Sequence, residues 1–473
     1  MKGDLKTKKG IDKITLLIYI VLVAFGWINI YAVNIDPEAT KLFDTSQEYF
    51  KQLIWIGVAI LTIGIIMLID SKFFVEFSYI LYGIGILLLI SVIFFGVEIN
   101  NTKSWFRLGS ISFQPVEVAK VATSLTIAYF MSRFGFSFKK TMSVIKLGLI
   151  WFLPIIIIIL QNDTGSALVF FSFFIVFFRE GLSPYIIILG IIAIIIFVLT
   201  LLISNFTIIL MLGITLFLAL FIKGLKKDTF ITMAIVTSVF GISFMIIYAI
   251  KGVSSLGSAF LIGLASGSIF LIYKSIVKRI KFIGAYLFIF WCSLLFTYSA
   301  DFLTEDILND YQRTRIMVML GIEEDPLGAG YNVNQSKIAI GSGGLTGKGF
   351  LQGTQTKFNF VPEQSTDFIF CTVGEEWGFA GTAAVVVLFL VLLIRIVYLA
   401  EQQHSDFSRI FGYCVASIFF FHCVVNIGMT IGLAPVIGIP LPFFSYGGSS
   451  LWGFTILLFI FLKLDIYRDD LIR

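Results

Sequence analysis

The sequence predicts an all-α polytopic membrane protein of about fourteen transmembrane helices with one large structured loop outside the bilayer. Three observations predict it. The 473 residues are 58% hydrophobic and only 13% charged, with a mean hydropathy of +0.98; such a chain is solvated largely by lipid. Apolar runs near the length of about 20 residues that crosses a hydrocarbon core recur from end to end. Lys and Arg cluster in every second connection, as they do in cytoplasmic loops.

The runs lie near 14–33, 52–69, 73–95, 114–132, 145–161 and 164–179. A dense block follows near 185–204, 206–222, 229–250, 256–273 and 282–300, and the last three lie near 380–399, 410–434 and 448–463. The chain therefore divides into 1–183 with six spans, 184–300 with five, a polar loop at 301–378, and 379–473 with three. The basic N-terminus MKGDLKTKKGIDK is expected in the cytoplasm. Alternation then places Arg133, Lys139 and Lys140 there, with Lys223, Lys226 and Lys227, with Lys274, Lys278, Arg279 and Lys281, and with Arg395 and the C-terminal KLDIYRDDLIR. It places 34–51, 96–113, 301–378 and the stretch APVIGIPLPFFSYGGSS outside, so the functional face is the external one. No small-residue cleavage site follows the first run, which reads as a true span. The net charge of +5 reflects cytoplasmic Lys and Arg and gives no reason to expect nucleic acid. Cys292, Cys371, Cys414 and Cys423 have no CxxC spacing and read as small buried side chains.

Polar residues inside this apolar chain are the candidates for function. Glu117 and Lys120 lie in the fourth span, one helical turn apart, and can pair. Intramembrane charges face a cavity or hold helices together as an ion pair, and the spacing leaves both open. Asp163, in QNDTG, either caps the helix that follows or lines the external cavity. The stretch 311–378 is polar, glycine-rich and too long for a simple connection. It contains the acidic turn Glu323-Glu324-Asp325-Pro326. Gly341-Ser342-Gly343-Gly344 either presents backbone N–H groups to phosphate or forms a flexible turn. Glu363 and Asp367 cap a helix or bind a metal.

The motifs KSWFRLGSISFQPVEVAK (103–120), QNDTGSALV (161–169), EEDPLGAGYNVNQSKIAIGSGGLTGKGFLQGTQTKFNFVPEQSTDFIF within 311–381, and NIGMTIGLAPVIGIPLPFFSYGGSS (426–450) resemble the SEDS family (shape, elongation, division and sporulation). GSGGLTGKGFLQGTQ is closer to its RodA branch than to its division branch. The resemblance covers roughly 1–183 and 300–473 and implies a ten-helix SEDS core, with about four extra helices in the block 184–300. It implies a peptidoglycan glycosyltransferase that polymerises lipid II, acting with a class B penicillin-binding protein (a transpeptidase) and other proteins of the elongation complex in the bacterial cytoplasmic membrane. The DPxGxGY motif falls on Asp325, which the resemblance makes the base. On the residues alone the same stretch is an acidic turn ended by Pro326.

The chemistry of joining two lipid-linked disaccharides sets the remaining expectations. A sugar hydroxyl attacks an anomeric carbon and needs a general base. A lipid pyrophosphate leaves and needs positive charge. Arg107, Lys120, Lys337 and Lys348 are candidate cations, with Arg313 and Arg315 at the start of the loop. Glu117, Asp163, Gln335, Glu363 and Asp367 complete the expected substrate-binding set. No cofactor is required, and a divalent cation, Mg or Mn, is the alternative source of charge. The competing readings are a lipid II flippase, whose path Glu117 and Lys120 would line, and a non-enzymatic scaffold.

Overall fold

The computed structural model describes residues 10–35, 47–99, 102–109, 111–251, 256–302, 310–322, 328, 330–358 and 360–468. Two compact units divide the chain, one formed by 1–182 and 325–473 and the other by 183–324. Asp325, with Glu323, Glu324 and Pro326, lies outside the described residues.

The first unit begins with α1 (Lys13–Asn34), α2 (Glu48–Leu68), the short α3 (Ser71–Glu76) and α4 (Ser78–Phe95). Three strands follow, β1 (Val97–Ile99), β2 (Thr102–Leu108) and β3 (Ile111–Phe113), then α5 (Pro115–Ser132), α6 (Thr141–Leu160), α7 (Thr164–Val169) and α8 (Phe173–Arg179). The second unit contains α9 (Pro184–Leu202), α10 (Asn205–Ile222), α11 (Lys226–Lys251), α12 (Leu256–Lys278), α13 (Lys281–Phe302) and α14 (Asp310–Met319). The first unit then resumes with α15 (Tyr331–Ser342), α16 (Thr354–Lys357), α17 (Ile369–Glu401), α18 (Asp406–Thr430) and α19 (Gly448–Ile466).

Each of the fourteen expected runs is helical, and among the described residues 12 helices are long and apolar enough to cross a membrane. The two exceptions have physical reasons. α5 carries Glu117, Lys120 and several hydroxyls, which lower its hydropathy, and it is buried by protein along most of its length. The run 164–179 is interrupted by a 3₁₀ turn at Phe170–Ser172 that divides α7 from α8. The connection 96–113, expected only as a loop, is a small antiparallel ladder in which Val97 pairs with Trp105 and Arg107 with Ser112. Among the described residues of the large loop, α14, α15, α16 and the start of α17 are helical.

The core of the first unit is aromatic. Phe443 ring edges meet Tyr19 at 5.1 Å and Phe419 at 5.2 Å between centroids. This packing holds Phe443 at φ 64°, a conformation that costs a non-glycine residue about 1–2 kcal/mol. The second unit has its own core around Ile209, Leu220, Val236, Leu264 and Leu271. Cys371, Cys414 and Cys423 are buried as expected; Cys292 is exposed on the surface of α13.

Candidate functional site

The polar end of the first unit is built on α17, α18 and the segment 431–447. α17 breaks at Gly378, where φ is 64° and ψ −158°. That conformation strains any side chain, and the break releases backbone groups from the helical ladder. The segment 343–349 takes them up. Lys348 and Gly349 donate their N–H groups to the carbonyls of Glu375 and Glu376, both at 3.0 Å. Phe379 and Ala380 donate theirs to Gly344 and Leu345 at 2.9 and 3.1 Å. The Gly341-Ser342-Gly343-Gly344 stretch is therefore the end of α15 and a docking surface for the kink, a hydrogen-bonded junction in place of the flexible turn that was one alternative for it. A broken helix is tolerated in a membrane protein when neighbours satisfy its backbone in this way.

Glu375 locks the same junction. Its carboxylate is fully buried, yet Oε1 accepts from Lys348 Nζ at 2.6 Å, from the Thr354 N–H at 2.8 Å and from the Gln355 N–H at 2.9 Å. Oε2 accepts from the Thr356 N–H and hydroxyl at 3.0 and 2.9 Å. Lys348, expected as a cation for substrate, is thus engaged by Glu375. Neither glutamate was singled out from the sequence, although two adjacent acids at the head of an apolar run are the signal that could have found them.

A second cluster lies where α5, α7, α18 and α19 meet. Glu117 Oε2 is 2.9 Å from Lys120 Nζ, and both side chains are only 3% exposed. Lys120 also reaches His422 Nε2 at 3.3 Å and sits 4.7 Å from the centre of the Phe454 ring. A Cβ at Gly453 would come within 2.6 Å of Glu117 Oε2, so only glycine leaves room for this carboxylate against α19. Asp163 accepts from the Ser166 N–H at 3.0 Å, capping α7, and from Gln114 Nε2 at 3.1 Å, tying α7 to the start of α5. It caps a helix, as one of the two alternatives had it.

The segment 431–447 connects these groups. His422 Nδ1 meets the carbonyl of Pro440 at 3.0 Å, and Asn426 donates to Ile439 at 2.7 Å and to the carbonyl of Asp367 at 2.8 Å. The Tyr446 N–H donates to the Ser365 carbonyl at 2.8 Å, and that of Gly447 to Gln52 Oε1 at 3.3 Å. Burial and then the nearby Glu48 carboxylate push the Tyr446 phenol up to about 12. α15 rests on the same region through Ser336, which donates to the Thr430 carbonyl at 2.9 Å, and its Lys337 side chain lies against Gly432.

The structure thus brings Glu117, Lys120, Asp163, Asp367 and Lys337 to elements that share the segment 431–447. Gln335 is half-buried on α15. Arg107 is exposed on β2, and Glu363 is exposed, at φ 53°, accepting from the Thr366 hydroxyl at 3.0 Å. Arg313 and Arg315 lie on α14 in the second unit. Among the described residues no three His, Cys, Asp or Glu side chains converge as a metal site. His422 and Asn426 were missed. His422 is one of only 2 histidines in the chain and stands alone in the run FFFHCVV, which is the signal that could have drawn notice.

The family model for cell cycle proteins of the FtsW, RodA and SpoVE type matches residues 12–210 and 208–470. A peptidoglycan glycosyltransferase RodA of Treponema pallidum is 31% identical over 443 residues, covering 93% of this chain and 94% of that protein. The peptidoglycan glycosyltransferase MrdB of Escherichia coli K12 is 30% identical over 436 residues, covering 89% and 90%. Among solved structures, a chain of a peptidoglycan synthase complex that coordinates polymerization and crosslinking aligns with TM-score 0.58 at 23% identity. The rod shape determining protein RodA of Thermus thermophilus aligns with TM-score 0.55 at 22% identity. Each structural match covers 97% of this chain and 98% of the other.

Proposed function

The chain belongs to the cell cycle protein family of FtsW, RodA and SpoVE, a family of multi-pass membrane proteins, and we propose that it is a peptidoglycan glycosyltransferase that polymerises lipid II during cell elongation and shape maintenance. Two relatives at 30% identity or more, aligned over nearly their full length, carry that activity in their names. The observation that carries the reading on this chain is the buried Lys120, held beside Glu117 where four helices and the segment 431–447 meet. A buried, positioned ammonium is the group that a departing pyrophosphate requires.

The reaction proceeds by a single displacement. Asp325 takes the proton of an acceptor sugar hydroxyl, whose oxygen bonds to the anomeric carbon of the donor. The bond from that carbon to the lipid pyrophosphate breaks, and the pyrophosphate leaves as an anion. No acid is needed for the leaving group, because pyrophosphate departs without a proton more readily than an alcohol does; paired carboxylic acids belong to glycoside hydrolysis. Direct displacement inverts the anomeric centre. Lys120 receives the leaving charge, with Lys337 and Arg107 as the other candidate cations on the same unit. Asp163, Gln335, Glu363 and Asp367 orient the sugars.

The basic connections give the orientation. Both termini lie in the cytoplasm of the bacterial cell, and the loop 301–378 and the segment 431–447 face outward from the cytoplasmic membrane. There the chain acts with a class B penicillin-binding protein, a pairing supported by its likeness in fold to a chain of a peptidoglycan synthase complex. The test is polymer formation from lipid II by the purified chain. Asp325→Asn and Lys120→Met are each expected to lower it by a factor of about 100 or more while the melting temperature stays near that of the wild type. Full activity in Asp325→Asn would contradict the assignment of the base.

A further inference from the structure

We propose that His422 is a positioning residue for the transfer reaction: its imidazole fixes where the Lys120 ammonium points, and the segment 431–447 fixes the imidazole. The proposal rests on the reading of Lys120 as the cation that receives the leaving group.

The ring's tautomer follows from its neighbours. His422 is only 1% exposed. Its Nδ1 lies 3.0 Å from the Pro440 carbonyl, which can only accept, so Nδ1 carries the proton. Its Nε2 lies 3.3 Å from the Lys120 ammonium, which can only donate, so Nε2 presents a lone pair. The imidazole is therefore neutral, with a donor toward the segment and an acceptor toward the cation. An imidazolium here would place two cations nitrogen to nitrogen. The arrangement matches that of a histidine metal ligand, whose orientation is set by the bond its other nitrogen makes.

Lys120 needs such a partner. Its stem has four rotatable bonds. Glu117, three residues earlier on α5, rides on the same helix and does not tie the ammonium to the rest of the site. His422, on α18, gives the cross-helix contact that selects one arrangement. Phe454 of α19 closes it from a third side, with its ring 4.7 Å from both the ammonium and the imidazole. One turn further along α18, Asn426 holds the carbonyls of Ile439 and Asp367. Two side chains of one helix face thus grip neighbouring carbonyls of the segment, and one of them passes the position of Pro440 on to Lys120.

Two conservative variants separate the two bonds. In His422→Gln the amide oxygen reaches the place of Nε2 and can accept from Lys120. In His422→Asn the amide N–H takes the place of Nδ1 and can donate to Pro440, but the side chain at 422 no longer accepts from Lys120, which keeps only Glu117 on its own helix. The full-length purified chain is assayed for lipid II polymerisation with its transpeptidase partner, alongside Lys120→Met, and each melting temperature is measured. His422→Gln is expected to keep kcat within about threefold. His422→Asn is expected to lose about 10- to 100-fold in kcat, the range in which outer partners of a functional group act, with KM changed by about threefold at most. The two melting temperatures should be similar. Equal turnover in the two variants, turnover that follows melting temperature, or loss of the fold in both would overturn the proposal and make His422 a core residue. Full activity in Lys120→Met would overturn it as well, and would locate the failure in the reading of Lys120. An inactive Lys120→Met beside equal His422 variants would locate it in His422 alone.

Discussion

The helices at the centre of the first unit and those of the second unit differ in how they satisfy their polar groups. α18 and α19 are buried over 72% and 83% of their most apolar windows, against 11% for α9 and 17% for α11. In the second unit most hydroxyls turn back on their own helix: Thr232 bonds to the Asp228 carbonyl at 2.7 Å, and Ser268 to that of Leu264 at 2.8 Å. Its charged cluster of Asp228 with Lys274 and Lys278 joins the start of α11 to the end of α12. In the first unit hydroxyls such as Ser124 also turn back, but a buried charged group crosses as well, Lys120 to His422, and Tyr19 meets Thr455 on another helix. A hydroxyl bonded to its own turn is satisfied in any surroundings and fixes no neighbouring helix. A side chain that crosses fixes one arrangement of several helices, and catalysis depends on such positioning.

Substitutions can break that contrast. The largest effect is expected from Glu375→Ala, which strands the N–H groups of Thr354, Gln355 and Thr356 and frees Lys348. A loss of about 3–5 kcal/mol should appear as a much lower melting temperature and an inactive chain. Gly453→Ala comes next. Its methyl group displaces Glu117, so about 1–3 kcal/mol of stability should go together with a larger loss of polymerisation than the stability change explains.

The effect of Asp12→Asn is smaller and depends on pH. Asp12 caps α1 and accepts from Arg395 at 2.5 Å. Partial burial raises its carboxyl, but the bonds from Arg395 and Thr15 outweigh this and leave it at about 2. A lowered carboxylate contributes stability above its ordinary value of 3.8, and that contribution fades as pH falls toward 2. Asp12→Asn should therefore lower the melting temperature near pH 7 by the equivalent of about 1 kcal/mol and make little difference near pH 2. In the second unit, Ile188→Ala on α9, 51% exposed, should stay within about 0.5 kcal/mol of the wild type. A fall as large as that of Gly453→Ala would remove the contrast between the units.

What the sequence made legible follows from what hydrophobicity encodes. The runs of the membrane helices were readable because length and apolarity alone define them. Glu117 and Lys120 were readable as a pair because three residues separate them on one helix. The partners of that pair were not, because His422 lies 302 residues away. Nor did the sequence show that Lys348 is taken up by Glu375, since no local rule joins a glycine-rich turn to a kinked helix. The ladder at 97–113 was hidden by its shortness: strands of three residues carry too little alternation to register. Asp163 was left between capping and cavity because both begin with the same residue before the same helix. The fold-level reading therefore came from composition, and the site-level reading came only where motifs of the family marked it.

The most direct test of the central claim is to reconstitute the purified chain in liposomes with lipid II and follow two products, glycan polymer and translocated lipid. Polymer is expected from the wild type and none from Asp325→Asn. Translocation of lipid II without polymer, unchanged in Asp325→Asn, would contradict it and establish the flippase instead.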